Sequence, residues 1–415
     1  MSQRSGGVIG AVGEMEEDEQ NSEKLFGPCE EDRKTEEEAD KGVDDEEDDE
    51  EEMEKGVQAK PAMTPNQPSK KEVDDHELTH VEFRNWCVHC QRGKAANNPH
   101  KRRWNNGKKE IEALHEHPTI SIDYMFMEAD YRDKGKEHYE RETKGKRPIL
   151  VVHDSKTSAM FAHDMKEKGA SEDTIGQLEE DIRDMGYQGV TIILKGDQEP
   201  SIKAIQETIS RRRNDGRTVP ENSPVGESSA NGAVERAIRS VQGQIRTIKD
   251  NVEAKTGEAM LRDSGTFKWL VEWSAATLTR YRITSNGRTS YAMIKGRQSR
   301  AQIAGFAEKI LYMPLRSSKV GRSKLEPRME YGVFYGVNFR TDEVRVGTER
   351  GVVKARTIKR LAPEDRWDGD YILKIKGRPT QPVPGVKSHH IPIQIHEDGS
   401  QVQQKDEDKA ECEAG

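Results

Sequence analysis

The spacing of apolar and polar residues changes several times along the chain, and each change marks a different element. From Pro118 onward, short apolar runs are separated by turns: Thr119 to Met127, Pro148 to His153, Ser158 to His163 and Val190 to Leu194. Their length and β-branched content predict strands. Between them, Ile175, Leu178, Ile182 and Met185 recur at helical spacing, with Ser171 and Asp173 placed to cap, and predict a helix over 171–185. A second helix is expected after Pro200, a long one from about Asn231 past Lys249, and another over Trp269 to Tyr281. Strands alternating first with turns and then with helices predict an α/β core over residues 115–300. The pattern turns strand-like again in Tyr331 to Val337, Glu343 to Gly347 and Gly351 to Ile358, and predicts a separate small β-barrel over 305–370.

The two ends lack either period. Residues 1–70 combine glycine, acidic runs such as Asp44 to Glu52 and a proline-containing stretch, and 371–415 is rich in Pro, His, Gln and acid. Both are expected to be disordered tails, because like charges repel and little apolar surface is available to bury. Composition agrees, with 32% hydrophobic and 34% charged residues. Charge is unevenly divided: Glu14 to Glu54 holds 23 acidic against four basic residues, a net of −19, whereas the whole chain carries −9, so the remainder is +10. A basic body suits a polyanionic partner, and the acidic tail implies a partner of its own that the sequence does not identify. No run approaches the roughly 20 apolar residues of a membrane span, and Met1 to Gly13 lacks a signal-peptide pattern. With four cysteines, Cys29, Cys87, Cys90 and Cys412, a disulfide scaffold is disfavoured. A nuclear or cytoplasmic location, not a secreted one, is expected.

Residues 71–110 are dense in His, Cys and aromatic side chains and end in a basic run that includes Arg102 and Arg103. His76 and His80 stand at i and i+4, and Cys87 and Cys90 form a C-x2-C. Two imidazoles and two thiolates make a tetrahedral zinc set, and four protein ligands imply a structural site. His89 lies inside the knuckle, and His100 offers an alternative ligand, so His80, Cys87, Cys90 and His100 form a competing set.

Three acidic residues carry the case for chemistry. Asp123 interrupts an apolar strand, where an unpaired charge is costly. Asp197 follows the apolar run Val190 to Leu194 at a strand end, and Glu235 stands near the start of the long helix. On a wheel of about 100° per residue, Val234, Ala237, Ile238, Val241, Ile245 and Ile248 form one stripe, and Glu235, Arg239, Arg246 and Lys249 gather on the neighbouring face. Cations spaced along such a face suit phosphates.

The order His-His-Cys-Cys, Asp123, Gly196-Asp197-Gln198-Glu199-Pro200 and Asn231-Gly232-Ala233-Val234-Glu235-Arg236 resembles the integrases of copia-type retrotransposon polyproteins over about residues 76–362. The resemblance implies a ribonuclease H-like mixed sheet with flanking helices, in which Asp123, Asp197 and Glu235 form a D-D-E triad holding two Mg2+ or Mn2+ ions. It also implies a structural Zn2+ module before that core and a small β-barrel after it. The implied activity is joining of element DNA ends to target DNA by a homo-oligomer. The His and Cys pairs stand closer together than is usual in the family. Two other readings stay open: a non-catalytic DNA-binding derivative, and a metal-dependent nuclease on the same fold. His153-Asp154 and His163-Asp164 are either a further metal cluster or polar pairs at strand ends.

Overall fold

Two short helices, Lys70–Glu77 (α1) and Val88–Lys94 (α2), precede a strand with two different faces. In Thr119–Phe126 (β1), Ile120, Ile122 and Tyr124 alternate with Ser121, Asp123 and Met125. The computed structural model describes residues 64–95, 117–127, 147–223, 232–314, 325, 327–395 and 401–402. The acidic segment, His100, Arg102 and Arg103 lie outside them. β1 is the middle strand of a five-stranded mixed sheet. Pro148–Asp154 (β2) and Met160–Asp164 (β3) extend it antiparallel on one side, and Ile192–Gly196 (β4) and Thr218–Asn222 (β5) parallel on the other, in the order β3-β2-β1-β4-β5. Every residue of β2 is buried, as befits a strand covered on both faces.

Helix Glu172–Asp184 (α3) forms where the apolar spacing placed it, with the Ser171 side chain accepting from the Thr174 N–H as its N-cap. Together with Pro200–Arg212 (α4) it packs Ile175, Leu178, Ile202 and Ile205 against Ile120, Ile122 and Tyr124. The opposite face is covered by Gly232–Thr256 (α5) and Gly265–Tyr281 (α6), which bring Val241, Ile245, Trp269 and Trp273 into one core with Met125, Ile149 and Val151. The sheet and its two helical layers are consistent with a ribonuclease H-like core. Asp123 alternates in step with Met125, so it faces α5.

After Ser290–Lys295 (α7), a second sheet is antiparallel throughout. It contains Lys309–Tyr312 (β6), Glu330–Val337 (β7), Val344–Thr348 (β8), Gly351–Ala355 (β9) and Ile358–Arg360 (β10), ordered β10-β6-β7-β8-β9. Its apolar face has no core of its own. Phe334 meets Trp273 edge-on at 5.3 Å and Tyr335 stacks on Trp269 at 6.1 Å, so the sheet shares the core beneath α5 and α6. The expected tail is corrected at its start: Gly369–Lys374 (α8) is helical, and Val383, Ile391 and Ile395 are buried. Such widely spaced apolar residues match neither period.

A buried ionic chain ties the two sheets together. His163 Nε2 on β3 lies 2.8 Å from Asp181 on α3, its Nδ1 lies 3.6 Å from Glu272 on α6, and Glu272 accepts from Arg345 on β8 at 2.7 Å. Burial opposes charging His163, but the two carboxylates outweigh it and push the imidazole up to about 10. A folded value raised above the ordinary 6.5 means that the stability it contributes is complete below 6.5 and is lost as pH rises through about 10. His163→Gln is therefore expected to melt below the wild type near neutral pH, with the gap narrowing towards pH 10 in a thermal-melt series. A gap independent of pH would show that His163 contributes shape and not charge.

Candidate metal centres and carboxylate site

The capping box of Ser69 and Glu72 starts α1 and projects His76 from its last turn. His80 follows at φ 51°, a left-handed turn that swings its ring back towards His76. Cys87 is the N-cap of α2 and Cys90 lies in its first turn. These four residues bring one ligand atom each within 4.8 Å of all the others, the only such group of three or more among the described residues. His76 Nε2 and His80 Nδ1 are 3.3 Å apart, and Cys87 Sγ lies 3.6 Å from His80 Nδ1. Cys90 Sγ lies 3.3 Å from His76 Nε2 and 3.8 Å from His80 Nδ1. A tetrahedral zinc ion bound at about 2.0 Å by nitrogen and 2.3 Å by sulfur requires edges of about 3.3 Å between nitrogens and 3.5 Å between nitrogen and sulfur. The donor set fits zinc. The hydrogen bond from Cys90 drives the Cys87 thiol far below its usual range, while the same contact and burial push Cys90 up. One thiolate thus hinders the other, a conflict that a divalent cation removes.

The module is held to the rest of the chain mainly through α5. His89, the knuckle histidine, is no ligand: its Nδ1 lies 2.6 Å from Asp250, which also pairs with Arg92 at 2.6 Å. Gly93 sits so close to α5 that a Cβ there would lie 2.2 Å from Thr247 Oγ1 and 2.7 Å from its backbone nitrogen. Arg246 donates to the Gly93 carbonyl at 3.0 Å. On the other side, Asp74 of α1 accepts from Arg360 at 3.1 Å and Arg366 at 2.9 Å.

The parallel register aligns the first two acids. Thr119 pairs with Ile193, Ile120 with Leu194 and Ser121 with Lys195. Carried two residues further, this register brings Asp123 abreast of Asp197, which stands one residue beyond β4. Burial pushes the Asp123 carboxyl up to about 6, and the charges of Asp197 and Glu199 push in the same direction, against the Tyr124 N–H and Lys168. Asp197 accepts from the Glu199 N–H at 3.0 Å. Glu235 occupies the first turn of α5, the helix over Asp123's face, and pairs with Arg239 at 3.9 Å.

No family model matches the chain, and no curated protein matches it either. Among solved structures it is similar to the HTLV-2 integrase catalytic core domain in complex with magnesium. To the trimeric form of that domain it is 16% identical with TM-score 0.28, covering 43% of this chain and 95% of the other. To the dimeric form it is 16% identical with TM-score 0.27, covering 42% and 92%. A simian T-cell lymphotropic virus intasome in complex with the PP2A regulatory subunit B56 gamma shares 11% identity over 60% of this chain and 79% of that one, with TM-score 0.30.

The remaining sequence candidates divide. Val234, Ala237, Val241, Ile245 and Ile248 of the expected stripe are buried, with Ile238 packed beside them. Of the cations on the neighbouring face, Arg239 pairs with Glu235, Arg246 bonds to Gly93, and Lys249 lies 2.7 Å from Glu253. The two His-Asp pairs are polar strand ends: Asp154 accepts from Tyr187 and Thr157, and Asp164 pairs with Arg147 and Arg262. Two residues escaped the sequence reading. Glu199 and Lys168 both act on Asp123, and only the acid in Gly196-Asp197-Gln198-Glu199 offered a signal. No described helix is long and apolar enough to cross a membrane.

Proposed function

We propose that the chain is a retroelement integrase of the copia type, a metal-dependent polynucleotidyl transferase that joins DNA ends to target DNA. The observation that carries this reading is the parallel register of β1 and β4, which, carried two residues past Ser121 and Lys195, sets Asp123 abreast of Asp197 under the helix that bears Glu235. Asp123, Asp197 and Glu235 are the residues that would hold Mg2+ or Mn2+. When bound, two such ions activate an attacking hydroxyl and stabilise the leaving oxygen of a phosphodiester. Asp123 and Asp197 are oxygen donors of the kind these hard ions prefer, and burial together with the Asp197 charge holds the Asp123 carboxyl above its ordinary range. His76, His80, Cys87 and Cys90 present nitrogen and sulfur instead, so they suit zinc and not magnesium.

The basic face of α5 would meet the DNA backbone through Arg239, Arg246 and Lys249, with Arg102 and Arg103 of the preceding basic run contributing outside the described residues. Residues 305–370 would act as the small carboxy-terminal module beside the core.

Metal binding can be tested apart from turnover. Mg2+ or Mn2+ is expected to raise the melting temperature of the zinc-loaded wild type and to leave Asp123→Asn and Asp197→Asn unmoved. An equal shift in the variants would take both aspartates out of the ion site.

A further inference from the structure

Next to Asp197, at the end of β4, Glu199 holds a cation. Lys168 Nζ is 2.7 and 2.8 Å from the two carboxylate oxygens of Glu199. It also stands 5.2 Å from the ring centroids of both Tyr124 and Phe126, the residues one and three places beyond Asp123 on β1. The backbone on each side is fixed. The Gly169 N–H donates to Tyr124 Oη at 2.9 Å, which pins the loop that carries Lys168. On the other side, the Glu199 N–H donates to Asp197 at 3.0 Å, and Glu199 Oε1 accepts from Ser201 Oγ at 2.7 Å. One contact thus holds the loop of Lys168 and two hold Glu199 beside Asp197, and the ammonium group joins the two segments.

The Lys168 and Glu199 side chains are 33% and 31% exposed, so their attraction is screened and weak. A phosphodiester is also an anion, and Lys binds phosphate as a mobile point charge.

We propose that Lys168 is the phosphate-contacting residue of the carboxylate site, restrained by Glu199 in the free protein and released to the DNA backbone when substrate enters. The inference rests on the DNA-joining reading and adds to it a contact residue and its restraint. Glu199 acts in two ways: it repels phosphate directly, and it withholds Lys168. Only the second depends on the lysine.

The test is a double-mutant cycle on the full zinc-loaded chain, read as the affinity for a short duplex oligonucleotide over a salt series without divalent metal. Melting temperatures are taken on the same preparations. Lys168→Ala is expected to weaken binding several-fold and to lower the salt slope by about one released counterion. Glu199→Gln should tighten binding several-fold in the wild-type background and much less when Lys168 is already absent. Lys168→Gln keeps a stem over Tyr124 and Phe126 and should bind as Lys168→Ala does, which separates lost charge from lost packing. Unchanged affinity and slope in both lysine variants, or an equal gain from Glu199→Gln in both backgrounds, would overturn the proposal while leaving DNA binding intact. A wild type with no salt-dependent affinity for duplex DNA would overturn the DNA reading itself, and this inference with it.

Discussion

If the His2Cys2 group holds zinc as its geometry fits, a strong chelator is expected to unfold α1, α2 and the turn between them, and to free them from α5. The module has little apolar material of its own: Val81, Cys87 and Cys90 are its buried hydrophobic residues among those described, and α1 buries none. Structural zinc sites supply about 10–16 kcal/mol of apparent binding free energy, which becomes folding free energy when no site exists in the unfolded segment. Cys90→Ser should act like the chelator, because it removes a sulfur that lies against both histidines. Gly93→Ala offers the complementary case. Its Cβ would collide with the backbone of Thr247, so the module should retain one zinc per chain yet lose its seat on α5, at a cost of about 1–3 kcal/mol. Metal analysis and amide exchange on the three samples check the expectation. Full protection of residues 70–94 without zinc would show that the cluster is not a folding site.

Glu235→Gln is expected to abolish strand joining, with a loss on the order of 10²-fold or more, since residues that merely support metal ligands are already worth about 10–100-fold. The fold should survive. The Glu235 side chain is 45% exposed and its partner is the more exposed Arg239, so the structure spends little on this carboxylate. The glutamine keeps the shape and loses an anionic oxygen donor, and with one negative charge fewer near phosphate, DNA affinity should hold or rise. Melting temperature, DNA affinity and joining measured on one preparation separate these effects. Retained joining would remove Glu235 from the proposed triad, and parallel loss of stability and DNA binding would make it a structural residue.

Much of this arrangement was legible in the chain. Period-two alternation singled out Asp123, because a charge in an apolar strand stands out against Ile120, Ile122 and Tyr124. The 3.6-residue period of α5 located Val234 to Ile248 and with them the face of Glu235. The grouping of His76, His80, Cys87 and Cys90 was legible for a different reason: they lie on two short segments, so local spacing brings them together, although the competing His100 lies outside the described residues. What the sequence could not supply was register. The offset that sets Asp123 beside Asp197 depends on how β1 and β4 slide past each other, and no periodicity encodes it. Docking was hidden as well. Gly93 against Thr247, Asp74 against Arg360 and Lys168 against Glu199 join residues distant in the chain, and none of the six differs in type from an ordinary surface residue. The strand-like pattern after Phe306 suggested an independent module because each strand looks complete alone; Trp269 and Trp273, which build its core, lie on a helix earlier in the sequence.

The most direct test of the central claim is covalent joining of a labelled synthetic DNA end to a target duplex by the zinc-loaded chain of residues 1–415. A joined product that requires Mg2+ or Mn2+ and vanishes in Asp123→Asn, Asp197→Asn and Glu235→Gln is the result expected. A wild-type chain that is folded, zinc-loaded and bound to DNA, yet yields neither joined nor cleaved strands with element-end substrates and either ion, would contradict it.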